Sequence, residues 1–162
     1  EPTVKSTLIV ITLIQKLKKA IGESTRALVF VKDKTKVQEM VEMLNNFGKH
    51  TNLRVIGVSD YTDIDEEKNE ISAGMDILVG TPNKINAMFS SAGFNMNTIK
   101  MFIVDDAEIL FRNRMDAVVL RLSNSIEKTQ RLFFCSQITE RVEVLAEKVM
   151  IEPIFFEMEE EE

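Results

Sequence analysis

The chain has 162 residues, 44% of them hydrophobic and 28% charged, with a formal net charge of −6. That length and composition suit a single globular core, and the negative balance speaks against attachment to nucleic acid by bulk attraction. No apolar run approaches the roughly 20 residues of a membrane span.

The first apolar stretch, "STLIVITLIQKL", is interrupted by Thr12 and closes on Lys16, Lys18 and Lys19, so it reads as a core helix and not as a signal or an anchor. Its apolar residues recur at helical spacing from Ser6 to Ile21, with Gly22 as the stop. "RALVFV", Arg26 to Val31, is an apolar run of strand length. "KTKVQEMVEMLNNFGK" follows as a helix, with Val37, Met40, Val41 and Leu44 on one face and Gly48 at its end. "LRVIGV" is the next strand, followed by a polar loop and a helix from Asp63 to Ser72. "DILVG" leads into a helix over "TPNKINAMFSS", and "IKMFIV" into one over "DDAEILFRNRMDAVVLRLSN". The last cycle is the strand "RLFFCS", the helix "ITERVEVLAEKVM" and the strand "PIFFEM". Cys135, the one cysteine, reads as a small buried hydrophobe inside its strand, not as a disulfide partner or metal ligand.

Strands alternating with helices through the whole chain predict an α/β fold with a mainly parallel sheet flanked by helices. Residues 26–31, 53–58, 76–79, 100–104 and 131–135, with "PIFF", are the expected strands. The domain spans residues 1–156, and residues 157–162 form an acidic tail. Glu157 and Glu159 to Glu162 carry five of the six net negative charges and leave the body near neutral. Nothing argues for secretion, so the expected location is intracellular: cytoplasm, or nucleus in a eukaryote.

In a parallel sheet, ligands meet the crevice at the carboxyl ends of the strands. Five loops converge there: residues 32–34, 57–60, 80–84, 105–108 and 135–138. Any one alone reads as a polar loop capping a strand. Taken in order, "DILVGTPNKI", "MFIVDDAEIL" and "RLFFCSQITERVEVLAEKVMIEPIFF" resemble the first RecA-like domain of DEAD-box RNA helicases. The family pattern there is Thr-Pro-Gly-Arg, then Val-Leu-Asp-Glu-Ala-Asp, then Ser-Ala-Thr, and a strand opened by proline. Response-regulator receivers also end a strand in paired aspartates, but they place the pair near the chain start and need a phosphoacceptor Asp on a later strand. The later strands here end in Cys135 and Phe156.

The resemblance covers nearly the whole chain. It implies a RecA-like three-layer sandwich and an ATP-dependent RNA helicase, an ATPase that uses ATP with magnesium and needs a second RecA-like domain. By position, Lys5 and Ser6 fall on the lysine and threonine that hold nucleotide phosphates and metal. Asp105 falls on the aspartate that holds magnesium through water, Asp106 on the catalytic glutamate and Glu108 on the final aspartate. Thr81 and Lys84 fall on the loop that holds the RNA backbone, with Gly57 from a glycine pair and Lys32 and Lys34 beside it. Glu108, Ser136 and Gln137 stand where the family couples nucleotide to RNA.

Residue chemistry narrows that expectation. "EPTVKS" has no glycine, Val4 does not readily take a positive φ, and Pro2 lacks an N–H for a phosphate cradle. Asp106 is one methylene shorter than glutamate, and a displacement of about 1 Å costs on the order of a hundredfold in rate. The plainer reading of Asp106 and Glu108 is two acids stabilising a helix N-terminus. Either the chain is a fragment or the loop has decayed. Decay is the expectation, since truncation does not account for Val4, Asp106 and Cys135 together. The expected function is RNA binding with ATP bound weakly or not at all, and no ATPase from this domain alone. The alternative is a protein-interaction domain without RNA or nucleotide. No membrane partner is expected.

Overall fold

The computed structural model describes residues 3–60, 63–92 and 96–158. Helix α1 spans Val4–Leu17, strand β1 Ala27–Phe30, α2 Lys34–Phe47, β2 Val55–Val58, α3 Ile64–Ser72 and β3 Ile77–Gly80. Then come α4 Pro82–Ala92, β4 Met101–Val104, α5 Ala107–Arg112, α6 Asp116–Asn124, β5 Gln130–Phe133 and α7 Glu140–Val149. Every strand pairing is parallel, in the order β2-β3-β1-β4-β5.

The layers follow from handedness. A crossover between parallel strands is right-handed, so the direction of each step across the sheet decides which face its helix covers. The step from β1 to β2 runs one way and carries α2. The steps from β2 through β3 and β4 to β5 run the other way, which sends α3 to α6 to the opposite face. Accordingly α1 and α2 pack on Ala27, Val29, Ile77, Val79, Met101 and Ile103. The other helices pack on Leu28, Phe30, Leu78, Phe102 and Val104. Strands β1, β3 and β4 are buried along their full length, which is why they read as unbroken apolar runs.

The structure departs from the sequence expectation in three places. Helix α1 ends at Leu17, short of Ile21, because Lys18 takes a left-handed φ of 64° and its N–H closes on the Ile14 carbonyl. The helix expected from residue 105 to 124 is two helices, broken where Arg114 takes φ 64°. α5 buries Leu110 and Phe111, and α6 buries Val119 and Leu122. The expected strand "PIFF" is not in the sheet. Glu152 at φ 50° turns the chain out of the extended path, Pro153 has no N–H for a ladder, and Ile154 and Phe156 are 76% and 85% exposed. Glu159 to Glu162 of the acidic tail, and Pro2 of the first loop, lie outside the described residues.

One carboxylate gathers the amino ends of three strands. Arg26, Arg54 and Asp76 each stand one residue ahead of β1, β2 and β3. Asp76 has no solvent exposure, and it accepts from Arg26 Nη2 at 2.8 Å, Arg54 Nε at 3.1 Å and the Arg54 backbone N–H at 2.9 Å. Burial alone would raise this carboxyl; the hydrogen bonds from Arg54 and Arg26 hold it below its usual value.

Gly57 sits in edge strand β2 beneath α2, where a Cβ would come within 2.8 Å of both Val37 Cγ1 and Val41 Cγ2. The missing side chain lets helix and strand approach.

Breaking one member of a buried ion pair costs about 3 to 5 kcal/mol, out of a domain stability of about 5 to 15 kcal/mol. Asp76→Asn should therefore lower the unfolding free energy from urea titration by about 3 to 5 kcal/mol, seen as a lower midpoint, and an unchanged midpoint would show that the cluster is not structural. Because the folded carboxyl titrates below 3.8, its contribution is present above that pH and lost as pH falls through the folded value. The wild type should thus show a steeper acid limb than the variant. Gly57→Ala should cost about 1 to 3 kcal/mol in the same assay, by overpacking against Val37 and Val41.

Candidate functional site

Strand β4 delivers two carboxylates to the carboxyl edge of the sheet. Their loop is fixed by backbone: Asp105 N–H donates to the Phe30 carbonyl at 2.9 Å, and Ala107 N–H to the Phe134 carbonyl at 3.0 Å. Asp105 is 1% exposed, and its Oδ1 accepts from the Asp106 N–H at 2.9 Å. Burial first, and the Asp106 charge second, push the Asp105 carboxyl above its usual range, against Lys36 and Lys5. Asp106 takes a left-handed backbone, φ 48° and ψ 45°, which aspartate tolerates better than most residues.

Three ammonium groups face this pair. Lys5 Nζ lies 2.5 Å from Asp106 Oδ1, and Lys32 Nζ 3.8 Å from Asp106 Oδ2. Lys36 Nζ donates to Ser6 Oγ at 2.9 Å and lies 3.8 Å from Asp105 Oδ2. Burial alone would lower the Lys5 ammonium, but the hydrogen bond and charge of Asp106 hold it above the usual lysine value. Asp106 stands at the N-cap of α5 but makes no side-chain cap hydrogen bond, and its carboxylate pairs with Lys5 and Lys32 across the sheet edge.

The structure thus brings Lys5, Ser6, Lys32, Asp105 and Asp106 together. Thr81 stands where β3 turns into α4, buried, its hydroxyl 3.5 Å from Asp60 Oδ1. Lys84, one turn on, is 5% exposed, and its ammonium lies 3.2 Å from Glu67 Oε2 of α3. Burial raises the Glu67 carboxyl, and Lys84 opposes that rise. Lys34 opens α2 at the same edge and is exposed. Gly57 lies within β2 and faces α2. Ser136 and Gln137 are exposed, and Glu108 Oε2 is buried without a hydrogen-bond partner among the described residues. Cys135 is half-buried, its thiol pushed up by burial and by Glu108.

Magnesium takes hard oxygen ligands at about 2.0 to 2.1 Å in a near-octahedral shell. The oxygens that the resemblance offers it, on Ser6 and Asp105, both face the Lys36 ammonium. Ser6 Oγ is also hydrogen-bonded to Thr3 Oγ1 at 2.9 Å. A divalent ion there would lie against a fixed positive charge, so the residues as arranged do not fit the metal. Nucleotide phosphate fares similarly. The Ser6 N–H that would face it donates to Thr3 Oγ1 at 3.1 Å, capping the helix from within. Among the described residues no group of three or more His, Cys, Asp or Glu could hold a metal ion, and no helix is long and apolar enough to cross a membrane.

Three residues lay outside the sequence-based site assignments: Lys36, Glu67 and Asp76. Each carried a signal. Lys36 shares a helical stripe with Met40 and Leu44, and Glu67 shares one with Ile64 and Ile71, so a charge falls on each apolar face. Arg26, Arg54 and Asp76 occupy equivalent positions before three successive strands.

The model of the DEAD/DEAH box helicase family matches residues 5–143. ATP-dependent RNA helicase dbp10 of Schizosaccharomyces pombe is 23% identical over 159 residues, covering 97% of this chain and 19% of that protein. Eukaryotic initiation factor 4A of Caenorhabditis elegans is 26% identical over 94 residues, 57% of this chain and 23% of that protein. The chain therefore spans about a fifth of the length of these curated relatives. Among solved structures, the yeast DEAD-box splicing factor Prp28 superposes with a TM-score of 0.82 at 19% identity, over 93% of this chain and 38% of that one. Saccharomyces cerevisiae dbp5, solved bound to gle1 and ip6, gives a TM-score of 0.82 over 96% of this chain and 39% of that one. The fold they share is the RecA-like sandwich described above, and the chain belongs to the DEAD/DEAH box helicase family.

Proposed function

We propose that this chain is the first RecA-like domain of a DEAD-box protein, that it holds RNA, and that it does not hydrolyse ATP on its own. Helicases of the family use ATP and magnesium. The observation that carries the proposal is the 2.5 Å pair between Lys5 and Asp106. The lysine that would meet phosphate and the carboxylate that would orient water neutralise each other, while Thr3 occupies the amide that a phosphate needs. A nucleotide would have to break these contacts and pay the desolvation of Lys5 without a glycine cradle. The unit is residues 1–156, and helicase activity would require a second RecA-like domain.

RNA contact runs along the carboxyl edge, where Thr81 and the N-terminus of α4 meet Lys32 and Lys34. Lysines and backbone amides read phosphates and not bases, so sequence preference is slight. Lys84 joins this path only when its pair with Glu67 opens. A second reading, protein interaction, is favoured by the exposed apolar run of Ile151, Ile154, Phe155, Phe156 and Met158.

Calorimetry with Mg-ATP should give no affinity tighter than about 1 mM, a binding free energy of about −4 kcal/mol; micromolar binding would contradict the nucleotide half of the proposal. On single-stranded RNA, Lys34→Ala should weaken binding and reduce the salt slope by about 0.7 for the lost phosphate contact. Lys148→Ala, on α7, should leave both unchanged, and equal effects at the two positions would mean diffuse attraction. Glu67→Gln should strengthen RNA binding by releasing Lys84, a gain that Glu67→Gln/Lys84→Ala lacks. Absence of RNA binding at both low and moderate salt would favour the protein-interaction reading.

A further inference from the structure

Lys36 is out of place for its position on α2. It lies on the stripe of Met40 and Leu44, which face the core, and its side chain is 13% exposed. An ammonium held that far from water needs anionic or hydrogen-bonding partners close by. Ser6 Oγ supplies one at 2.9 Å, and Asp105 Oδ2, 3.8 Å away, supplies the charge. Glu39 Oε2, at 3.9 Å, comes from the solvent side and is itself exposed. Asp105 Oδ2 is buried and accepts no hydrogen bond from any described residue, so its neighbouring charges must balance it. Lys5 and Lys32 pair with Asp106. Lys36 is the ammonium within ion-pair distance of Asp105 among the described residues.

We propose that Lys36 is a resident cation. It bridges the Ser6 hydroxyl and the Asp105 carboxylate, the two oxygens that would otherwise present themselves to a divalent metal, and makes this acidic pocket blind to magnesium. The alkyl stem crosses the edge of the core, where an apolar side chain would end short of the pocket, and the charged head replaces the ion. Magnesium would have to displace a tethered charge from both oxygens at once, and the tether returns that charge without loss of translational freedom. This deepens the proposed function, resting on the reading of these residues as an altered nucleotide site.

Manganese titration of the full chain, followed by the paramagnetic resonance of the free aqueous ion, tests the proposal without nucleotide or turnover. The wild type should show no site tighter than about 1 mM. Lys36→Leu, which keeps a good helix former on the apolar stripe, should bind manganese at least about tenfold more tightly. Lys36→Leu/Asp105→Asn should lose that gain, and Lys36→Arg, which keeps the charge, should behave as wild type. The proposal is overturned if the wild type binds manganese as tightly as Lys36→Leu, if Lys36→Leu gains nothing, or if Lys36→Arg gains as much. Should the leucine variant not fold, the wild type decides. A rise in Tm with magnesium that Asp105→Asn abolishes overturns the proposal, and no rise up to about 10 mM supports it. Tight ATP binding with no manganese site would refute the nucleotide half of the proposed function while leaving the Lys36 assignment standing.

Discussion

A carboxylate removed from water must be matched by positive charge or hydrogen-bond donors, and that requirement organises both ends of this sheet. At the amino end, Asp76 has no exposure and is saturated by two guanidinium groups and backbone amides. At the carboxyl end, Asp105 is 1% exposed, yet one oxygen receives no hydrogen bond and its nearest ammonium is 3.8 Å away. The titration directions separate the two cases: donors win over burial at Asp76, and burial wins over lysine charge at Asp105. The first carboxylate is satisfied and holds strands in register. The second is balanced without being satisfied, the state expected of a group whose position was shaped by something other than stability.

Much of the fold was legible because strands buried on both faces read as short continuous apolar runs, and those runs carry the parallel pairing seen around Ala27–Phe30. The breaks were less legible. Arg114, Lys18 and Glu152 all take positive φ values without being glycine, so nothing in their identity announces a turn. The segment at residues 153–156 has strand composition, but composition does not supply a neighbouring ladder. Within the site, the acids at 105 and 106 were identifiable from their place after β4. Their partners depended on how long lysine stems run across a sheet edge, which no local pattern encodes. Lys84 shows the same limit: a lysine at a helix start reads as a phosphate contact, and only the fold reveals Glu67 beside it.

The sheet depends on Asp76, on the glycine-permitted approach of α2 to β2, and on fully buried β1, β3 and β4. Of these, Asp76 lies at the opposite end of the sheet, whereas β4 runs into the acidic loop and the Phe30 carbonyl of β1 accepts from the Asp105 N–H. At the carboxyl edge, Asp105 and Asp106 face Lys5, Lys32 and Lys36 beside a sheet of unbroken parallel order. The three lysines keep that edge from being a bare cluster of acids.

The exposed run after α7 has a consequence for how the molecule behaves in bulk. Ile151, Ile154, Phe155, Phe156 and Met158 would together form an adhesive strip, but Glu152 and Glu157 interrupt it and Glu159 to Glu162 follow it. Acids flanking an apolar segment act as gatekeepers against self-association. Their protection is electrostatic, and it weakens as the net charge of the chain falls toward zero near the isoelectric point of about 5.0. Charge carried beside the apolar run therefore opposes self-association at neutral pH, and salt, which screens that repulsion, weakens the opposition.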